Sequence, residues 1–320
     1  MRPLPTLRQL RYLVALADHR HFGRAAEECL VTQSTLSAGI RELEELLGVV
    51  LIDRSLRRMA FSPSGEAIID RARAILRDAE ELVEAAQAGG EPLTGLLRLG
   101  VIPTIAPYLL PRALPAVRES YPNLRLYLRE EQTTRILELL GRGRIDAALI
   151  ALPYATHDLR TLVLGEDPLR IACPREHPLA VSGQASDEDL AQQPLLLLED
   201  GHCLRDHALT ACHLLPGQAN EDFQATSLST LVQMVASGLG VTLVPELAVD
   251  VEVRREPGVV AVPFAGGCPS RQIALVWPAG SVRGRDLHLL GGILRRFVPE
   301  AAAEAEGAGP DAAADSLEAR

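Results

Sequence analysis

The chain has 320 residues, 47% of them hydrophobic and 23% charged, a composition close to the globular average that excludes collagen-like, low-complexity and wholly disordered chains. At about 150 residues per domain, that length argues for two or three domains. The formal charge of −10 is uneven: residues 1–65 hold 9 Arg against 7 Asp and Glu, so only the N-terminal part has the positive excess that suits phosphates.

Every basic side chain is an arginine, a fork that stays charged at neutral pH. Five cysteines are an odd and sparse set, which fits thiols held reduced in the cytosol better than a disulfide scaffold. The longest uncharged run, which includes Ala225 to Pro245, is broken by Ser227, Ser229, Thr230, Gln233 and Gly238, too often for a membrane span. The N-terminus carries Arg8 and Arg11 and lacks the apolar core and cleavage site of a secretory leader. A cytoplasmic protein is expected.

In chain order, Leu7, Leu10, Leu13, Val14 and Ala17 fall at helical spacing over residues 6–18. A short second helix is expected from Gly23 to Leu30. A third runs from a Thr32 cap to Leu47, burying Leu36, Ile40, Leu43, Leu46 and Leu47, and Gly48 stops it. Val49–Ile52 and Met59–Phe61 are β-prone runs around an arginine-bearing turn, the pattern of a small wing. From Pro63 a long helix repeats Ile68, Ile69, Ala72, Ile75, Leu76, Leu82 and Val83, an apolar stripe that suits a second copy of the chain. Gly89, Gly90, Pro92 and Gly95 mark a hinge.

Beyond it, apolar strands alternate with helices: Leu96–Ile102, Leu124–Glu130, Ala147–Leu152, Leu195–Leu198, Val241–Val244 and Ile273–Trp277. That alternation implies an α/β domain with mostly parallel sheets, read as two lobes around a cleft. Residues 299–320 hold nine Ala and six acidic residues without apolar periodicity, a solvated, disordered tail. The expected organisation is an all-α winged helix-turn-helix (1–62), a dimerising linker helix (63–90) and a regulatory α/β domain (91–298) whose second lobe covers about 168–268.

In a helix-turn-helix the first turns of the second helix enter the major groove. Thr32, Gln33, Ser34, Thr35, Ser37 and Arg41 supply short polar groups and a fork there, and Arg54, Arg57 and Arg58 on the wing suit phosphates or an adjacent minor groove. One such residue alone would be an ordinary solvated side chain; the whole pattern points to DNA. The segment RQLRYLVALADHRHFGRAAEECLVTQSTLSAGIRELEELLGVVLIDRS closely resembles the winged helix-turn-helix of LysR-type transcriptional regulators. That resemblance implies a DNA-binding domain, a dimerising linker helix and a two-lobed, periplasmic-binding-protein-like effector domain, assembled as a homodimer or homotetramer.

The signal is carried by LLLLEDGHCLRDHALTACHLL. It opens as a buried strand, turns at Glu199 to His202 and continues as a helix with Cys203 in its first turn, where the helix dipole and free amides favour a reactive thiolate. His202 and Arg205 stand close enough in sequence to add positive or donor groups. Cys212 follows nine residues later, and if the two cysteines pair, the helix between them must unwind or rearrange. The chemistry would then be attack of the Cys203 thiolate on a peroxide oxygen, giving a sulfenic acid that condenses with Cys212. Two plainer readings stand beside this one: both cysteines as small buried hydrophobes, and a metal site among His202, Cys203, His207, Cys212 and His213, which lacks a paired CxxC or HxxxH unit. No metal or other cofactor is expected.

EDGHCLRDHALTAC, GVIPTIAPYLLP, YLREEQT, FQATSLSTL and GVTLVPELAV resemble segments of the hydrogen-peroxide-sensing activators within the LysR family. By this resemblance Cys203 is the peroxidatic cysteine and Cys212 the resolving one. Thr104 and Thr133 match hydroxyls of a peroxide pocket, with His202, Asp206 and Arg271 beside the sulfur. The residues supply a reason of their own: Thr104, Thr133 and Cys203 each follow an expected strand, and loops at strand carboxyl ends converge on one crevice. The likeness departs at Asp222, where the best-known members have histidine, and in a one-residue insertion near Arg254 to Pro257.

The leading expectation is therefore a peroxide-activated, DNA-binding regulator of antioxidant genes rather than an enzyme. Its partners would be promoter DNA, RNA polymerase and a glutaredoxin or thioredoxin system for reduction. One alternative is a LysR-type regulator of a small organic effector with incidental cysteines; another is a thiol peroxidase.

Overall fold

Helical periodicity near the N-terminus builds three helices that close on one another. Helix α1 (Leu7–His19) starts at Thr6, whose hydroxyl accepts from the Gln9 amide while the Gln9 side chain accepts from the Thr6 amide. Helix α2 (Phe22–Glu28) follows, and α3 (Gln33–Leu47) is capped by Thr32 and ended by Gly48 at φ 68°, in the left-handed region that favours glycine. Leu10, Leu13, Leu16, Leu36, Ile40 and Leu43 form their shared core, each such side chain contributing about 1.5–3 kcal/mol by leaving water. Gly39 is needed for close packing: a Cβ there would come within 2.7 Å of the Tyr12 ring.

This computed structural model describes residues 3–53, 59–87, 91–156, 158–211 and 224–299. Arg54, Arg57, Arg58, Cys212, Asp222 and the acidic tail beyond 299 lie outside the described residues. Strands β1 (Ile52–Asp53) and β2 (Ala60–Phe61) pair antiparallel where a wing is expected. Helix α4 (Pro63–Gln87) starts after Ser62, whose hydroxyl accepts from the Gly65 amide at 2.9 Å. It packs Ile69, Ala72 and Leu76 into the N-terminal core and leaves Ile75, Leu82 and Val83 exposed.

The second core begins with β3 (Gly95–Val101), α5 (Ala106–Ser120), β4 (Leu124–Glu130), α6 (Thr133–Gly141) and β5 (Ala147–Leu152), and β3 pairs parallel with both β4 and β5. Next come β6 (Leu159–Pro174), α7 (Pro178–Ser182), α8 (Asp187–Ala191), β7 (Leu197–Leu198), α9 (Cys203–Ala211), β8 (Gln224–Ala225) and α10 (Leu228–Ala236). Strand β9 (Thr242–Pro245), α11 (Glu246–Ala248), a π-helical turn at Val249–Val253, β10 (Val259–Val262), β11 (Ser270–Pro278) and α12 (Gly284–Arg295) complete it. Arg142 and Arg144, after α6, reach Asp70 of α4 and Asp18 of α1 at 3.8 and 3.5 Å, tying the second core to the N-terminal helices.

The expectation of mostly parallel sheets is corrected. Only β3–β4, β3–β5 and β7–β8 are parallel among the described strand pairs; β6 pairs antiparallel with β9, β10 and β11, and β11 antiparallel with β5. The cause is topological. The chain leaves one half through β6, whose Leu169–Pro174 portion pairs with β9 and β10, and returns through β11 alongside its own outgoing path. An outgoing and a returning strand side by side are antiparallel.

Candidate functional site

Three loops at strand carboxyl ends meet, as their places in the sequence predict. Thr104 lies between β3 and α5, Thr133 opens α6 after β4, and Cys203 opens α9 after β7. All three side chains are buried. Gly201 makes the close approach possible: its φ is 95°, and a Cβ would come within 2.5 Å of the Gln132 side chain. Gln132 Nε2 then donates to Glu199 Oε1 at 3.0 Å, joining the loop before α6 to the loop before α9.

Arg271, at the start of β11, is fully buried, and its guanidinium is largely committed. Nε and Nη2 donate to Asp167 Oδ2 at 3.0 and 2.9 Å, Nη1 to the Thr104 hydroxyl at 2.8 Å, and Nη2 to the Thr104 carbonyl at 2.8 Å. A guanidinium has five N–H groups, so one Nη1–H has no acceptor among the described residues. Asp167 is itself fully buried and also accepts from the Leu247 amide at 3.0 Å. Because Thr104 Oγ1 accepts from Arg271, its own proton is free to be donated elsewhere.

The electrostatics around sulfur differ from the sequence expectation. Burial pushes the Cys203 thiol above its ordinary value, and this outweighs Arg271, Thr133 and the Ala151 amide, which all favour the thiolate; Asp206 opposes it. Of the two neighbours in sequence expected to add positive or donor groups, His202 has its pKa lowered by burial, more than Glu199 at 3.9 Å raises it. Arg205 is turned to the Leu198 carbonyl at 3.2 Å and to Asp200 at 3.0 Å. Asp206 is exposed in the first turn of α9, and its charge works against the thiolate. Burial therefore favours the protonated thiol at neutral pH, although the sulfur stands at a helix start.

Two buried polar atoms of neighbouring residues, one on Thr133 and one on His207, have no partner among the described residues. Thr133 Oγ1 makes no hydrogen bond of ordinary geometry among the described residues, although it faces the sulfur closely enough to favour the thiolate. His207 Nδ1 is likewise unpartnered, while its Nε2 lies 3.2 Å from the Pro153 carbonyl. Among the described residues no three His, Cys, Asp or Glu side chains are placed to hold a metal ion. Asp167, Gln132 and the Ala151 amide were not foreseen; Asp167 sits in GEDP, whose turn-forming residues conceal a strand.

At the other site, Thr32, Gln33, Ser34, Thr35 and Arg41 are exposed along the start of α3, and Ser37 is half-buried. Thr32 is partly spent as a cap, its hydroxyl accepting from the Thr35 amide at 3.2 Å and meeting the Ser34 and Thr35 hydroxyls at 2.9 and 2.8 Å. Gln33 and Arg41 extend from the same exposed surface.

Residues 7–66 match the family described as bacterial regulatory helix-turn-helix protein, LysR family, and residues 90–298 match the LysR substrate binding domain. A Pectobacterium carotovorum subsp. carotovorum protein named Hydrogen peroxide-inducible genes activator is 44% identical over 280 residues, covering 87% of this chain and 92% of its own length. A full-length OxyR variant from Pseudomonas aeruginosa superposes with a TM-score of 0.76 at 38% identity, over 91% of this chain and 98% of that one. A Corynebacterium glutamicum OxyR variant with hydrogen peroxide bound gives a TM-score of 0.64 at 36% identity, over 93% and 94%. The chain therefore belongs to the LysR family of transcriptional regulators and, within it, to the OxyR group.

Proposed function

We propose that this chain is a transcriptional regulator activated by hydrogen peroxide through oxidation of Cys203 and disulfide formation with Cys212, controlling antioxidant genes. The observation that carries the reading is the arrangement around sulfur: a buried thiol at a helix start, with a Thr104 hydroxyl polarised by Arg271, and a Thr133 hydroxyl and an Arg271 Nη1–H that have no ordinary hydrogen-bond partner among the described residues. Hydrogen peroxide has two oxygens that each donate and accept, and these groups suit both. Arg271 offsets negative charge on the departing hydroxide. The product is a sulfenic acid, which Cys212 converts to a disulfide with loss of water.

Conversion to a signal follows from α9. Cys203 to Ala211 spans about 12 Å of helix at 1.5 Å per residue, and Cys212 is at most one 3.8 Å Cα step further. A disulfide needs Cα atoms about 4.4–6.8 Å apart, so pairing requires α9 to unwind. The rearranged segment lies beside the loop before α6, and Arg142 and Arg144 after α6 reach the N-terminal helices. Oxidation thereby changes how the DNA-binding parts are held.

In this reading Gln33, Ser34, Thr35, Ser37 and Arg41 meet base edges and phosphates, with Thr32 fixing the start of α3 and Arg54, Arg57 and Arg58 on phosphates or in the minor groove. The exposed face of α4 pairs two copies as a homodimer or homotetramer. The two halves of the regulatory part form periplasmic-binding-protein-like lobes, and the protein works in the cytoplasm with RNA polymerase and a dithiol reductase. Mass analysis of alkylated thiols after a brief micromolar peroxide pulse tests the reading. A Cys203–Cys212 disulfide forming within seconds in the wild type and absent in Cys203→Ser is the expected result; both thiols staying reduced at that dose overturns it.

A further inference from the structure

The thiol that this function requires to react is buried and protonated, so its proton has to be taken up inside the site. We propose that His207 is the proton acceptor for Cys203: its Nδ1 takes the thiol proton as the sulfur attacks peroxide and returns it to the departing hydroxide. This rests on the peroxide-sensing reading above. The S–H bond breaks as the proton passes to Nδ1, an S–O bond forms as the O–O bond breaks, and the hydroxide released takes the proton from Nδ1 to become water. Sulfur loses two electrons to give the sulfenic acid, peroxide gains them, and the imidazole ends neutral.

The geometry comes from α9 and the strand end beside it. Cys203 and His207 stand four residues apart on one helix, so their Cβ atoms are about 5–6 Å apart on one face. A helical side chain leans toward the helix N-terminus, which carries the ring back over the turn that holds the sulfur. The end of β5 and the residues just after it pass both groups: the Ala151 amide supports the sulfur and the Pro153 carbonyl takes the imidazole. A carbonyl only accepts, so the hydrogen of the neutral ring is on Nε2 and Nδ1 is bare. That nitrogen is buried and has no partner among the described residues, the sulfur included, so the thiol proton reaches it through one bridging water or the peroxide itself.

Neutrality is secured by the surroundings. Burial and the charge of Arg271 both disfavour the imidazolium, against the Pro153 carbonyl and Asp206, which favour it. The site's other imidazole, His202, lies beside Glu199 instead. Thr133 can relay a proton but is no base.

The test is the second-order rate of Cys203 oxidation by hydrogen peroxide in the full chain, followed from pH 5 to 9 in wild type, His207→Gln and His207→Ala. With an internal acceptor the reactive form is thiol plus neutral imidazole. The wild-type rate is then flat from the imidazole pKa, below its ordinary 6.5, up to the thiol pKa, above its ordinary 9.0. In His207→Gln, which keeps a donor to Pro153 but has no base, the rate instead tracks thiolate and rises tenfold per pH unit. At pH 7 it falls by about 10²-fold, the lower end for a lost general base.

A His207→Gln profile as flat and fast as wild type overturns the proposal. So does a slow His207→Ala beside a normal His207→Gln, which would make the ring an anchor only. Should neither variant fold, the wild-type profile decides alone: a tenfold rise per unit through neutrality excludes an internal acceptor. Failure of Cys203 to react at any pH is a different result, since it removes the peroxide-sensing reading itself.

Discussion

Two sides of the same sulfur are built on opposite principles. On one side Thr104, Arg271, Asp167 and the Leu247 amide are joined in a buried network that leaves over only one Arg271 Nη1–H and the Thr104 hydroxyl proton among the described residues. On the other, Thr133 Oγ1 and His207 Nδ1 are buried without hydrogen-bond partners of ordinary geometry among the described residues. A satisfied network fixes geometry, whereas an unsatisfied buried polar group costs stability unless something binds it. The first side is scaffold that also aims charge; the second leaves hydrogen-bonding capacity unspent, which in the proposed reading a small polar molecule and a proton take up. The difference separates variants that unfold the site from variants that silence it.

The sharpest break is Arg271→Ala, which leaves Asp167 buried without its counter-charge. Removing one member of such a pair costs about 3–5 kcal/mol, measured by urea unfolding. The Cys203 thiol pKa moves further up, because Arg271 is the largest of the influences that lower it; the pH dependence of iodoacetamide alkylation reads that shift. A loss under about 1 kcal/mol would mean that Asp167 finds another partner and that this side is not a fixed scaffold.

The two threonines give a smaller and cleaner contrast. Thr104→Val strands a buried Arg271 N–H and costs about 1–3 kcal/mol. Thr133→Val removes a hydroxyl that makes no hydrogen bond of ordinary geometry among the described residues, so its unfolding free energy stays within about 0.5 kcal/mol of wild type. Both slow Cys203 oxidation. Equal destabilisation by the two substitutions would erase the distinction between the sides.

The parts of the molecule that follow local periodicity were legible in the sequence. Thr32 caps α3, Gly48 ends it, and β4 and β5 occupy the expected residues, because caps and apolar runs act over a few residues. Strand β6 was not legible. Its Gly165-Glu166-Asp167-Pro168 stretch has the residues of a turn, and only pairing with distant β11 keeps it extended. In the site, strand-end logic and the family likeness located Thr104, Thr133, Cys203 and Arg271. The charge state was not legible, since it depends on burial by remote segments: the same helix start that suggests a thiolate sits under enough protein to hold a thiol. The partner of Arg271 comes from 104 residues away, beyond the reach of any local pattern.

The smallest expected effect concerns acid. His202 and His207 both have folded pKa values below the ordinary 6.5, chiefly through burial. Just below pH 6.5 the unfolded chain therefore binds more protons than the folded one, so stability present above 6.5 is lost as pH falls. Each ring contributes a slope of at most about 1.4 kcal/mol per pH unit. His207→Gln removes one of the two contributions, and its unfolding free energy should fall less than that of wild type between pH 7 and pH 5.5. A variant that loses stability as steeply as wild type would show that the ring accepts a second proton freely in the folded state. The open side of the site would then be wet, and the contrast with the sealed Arg271 side would rest on Thr133 alone.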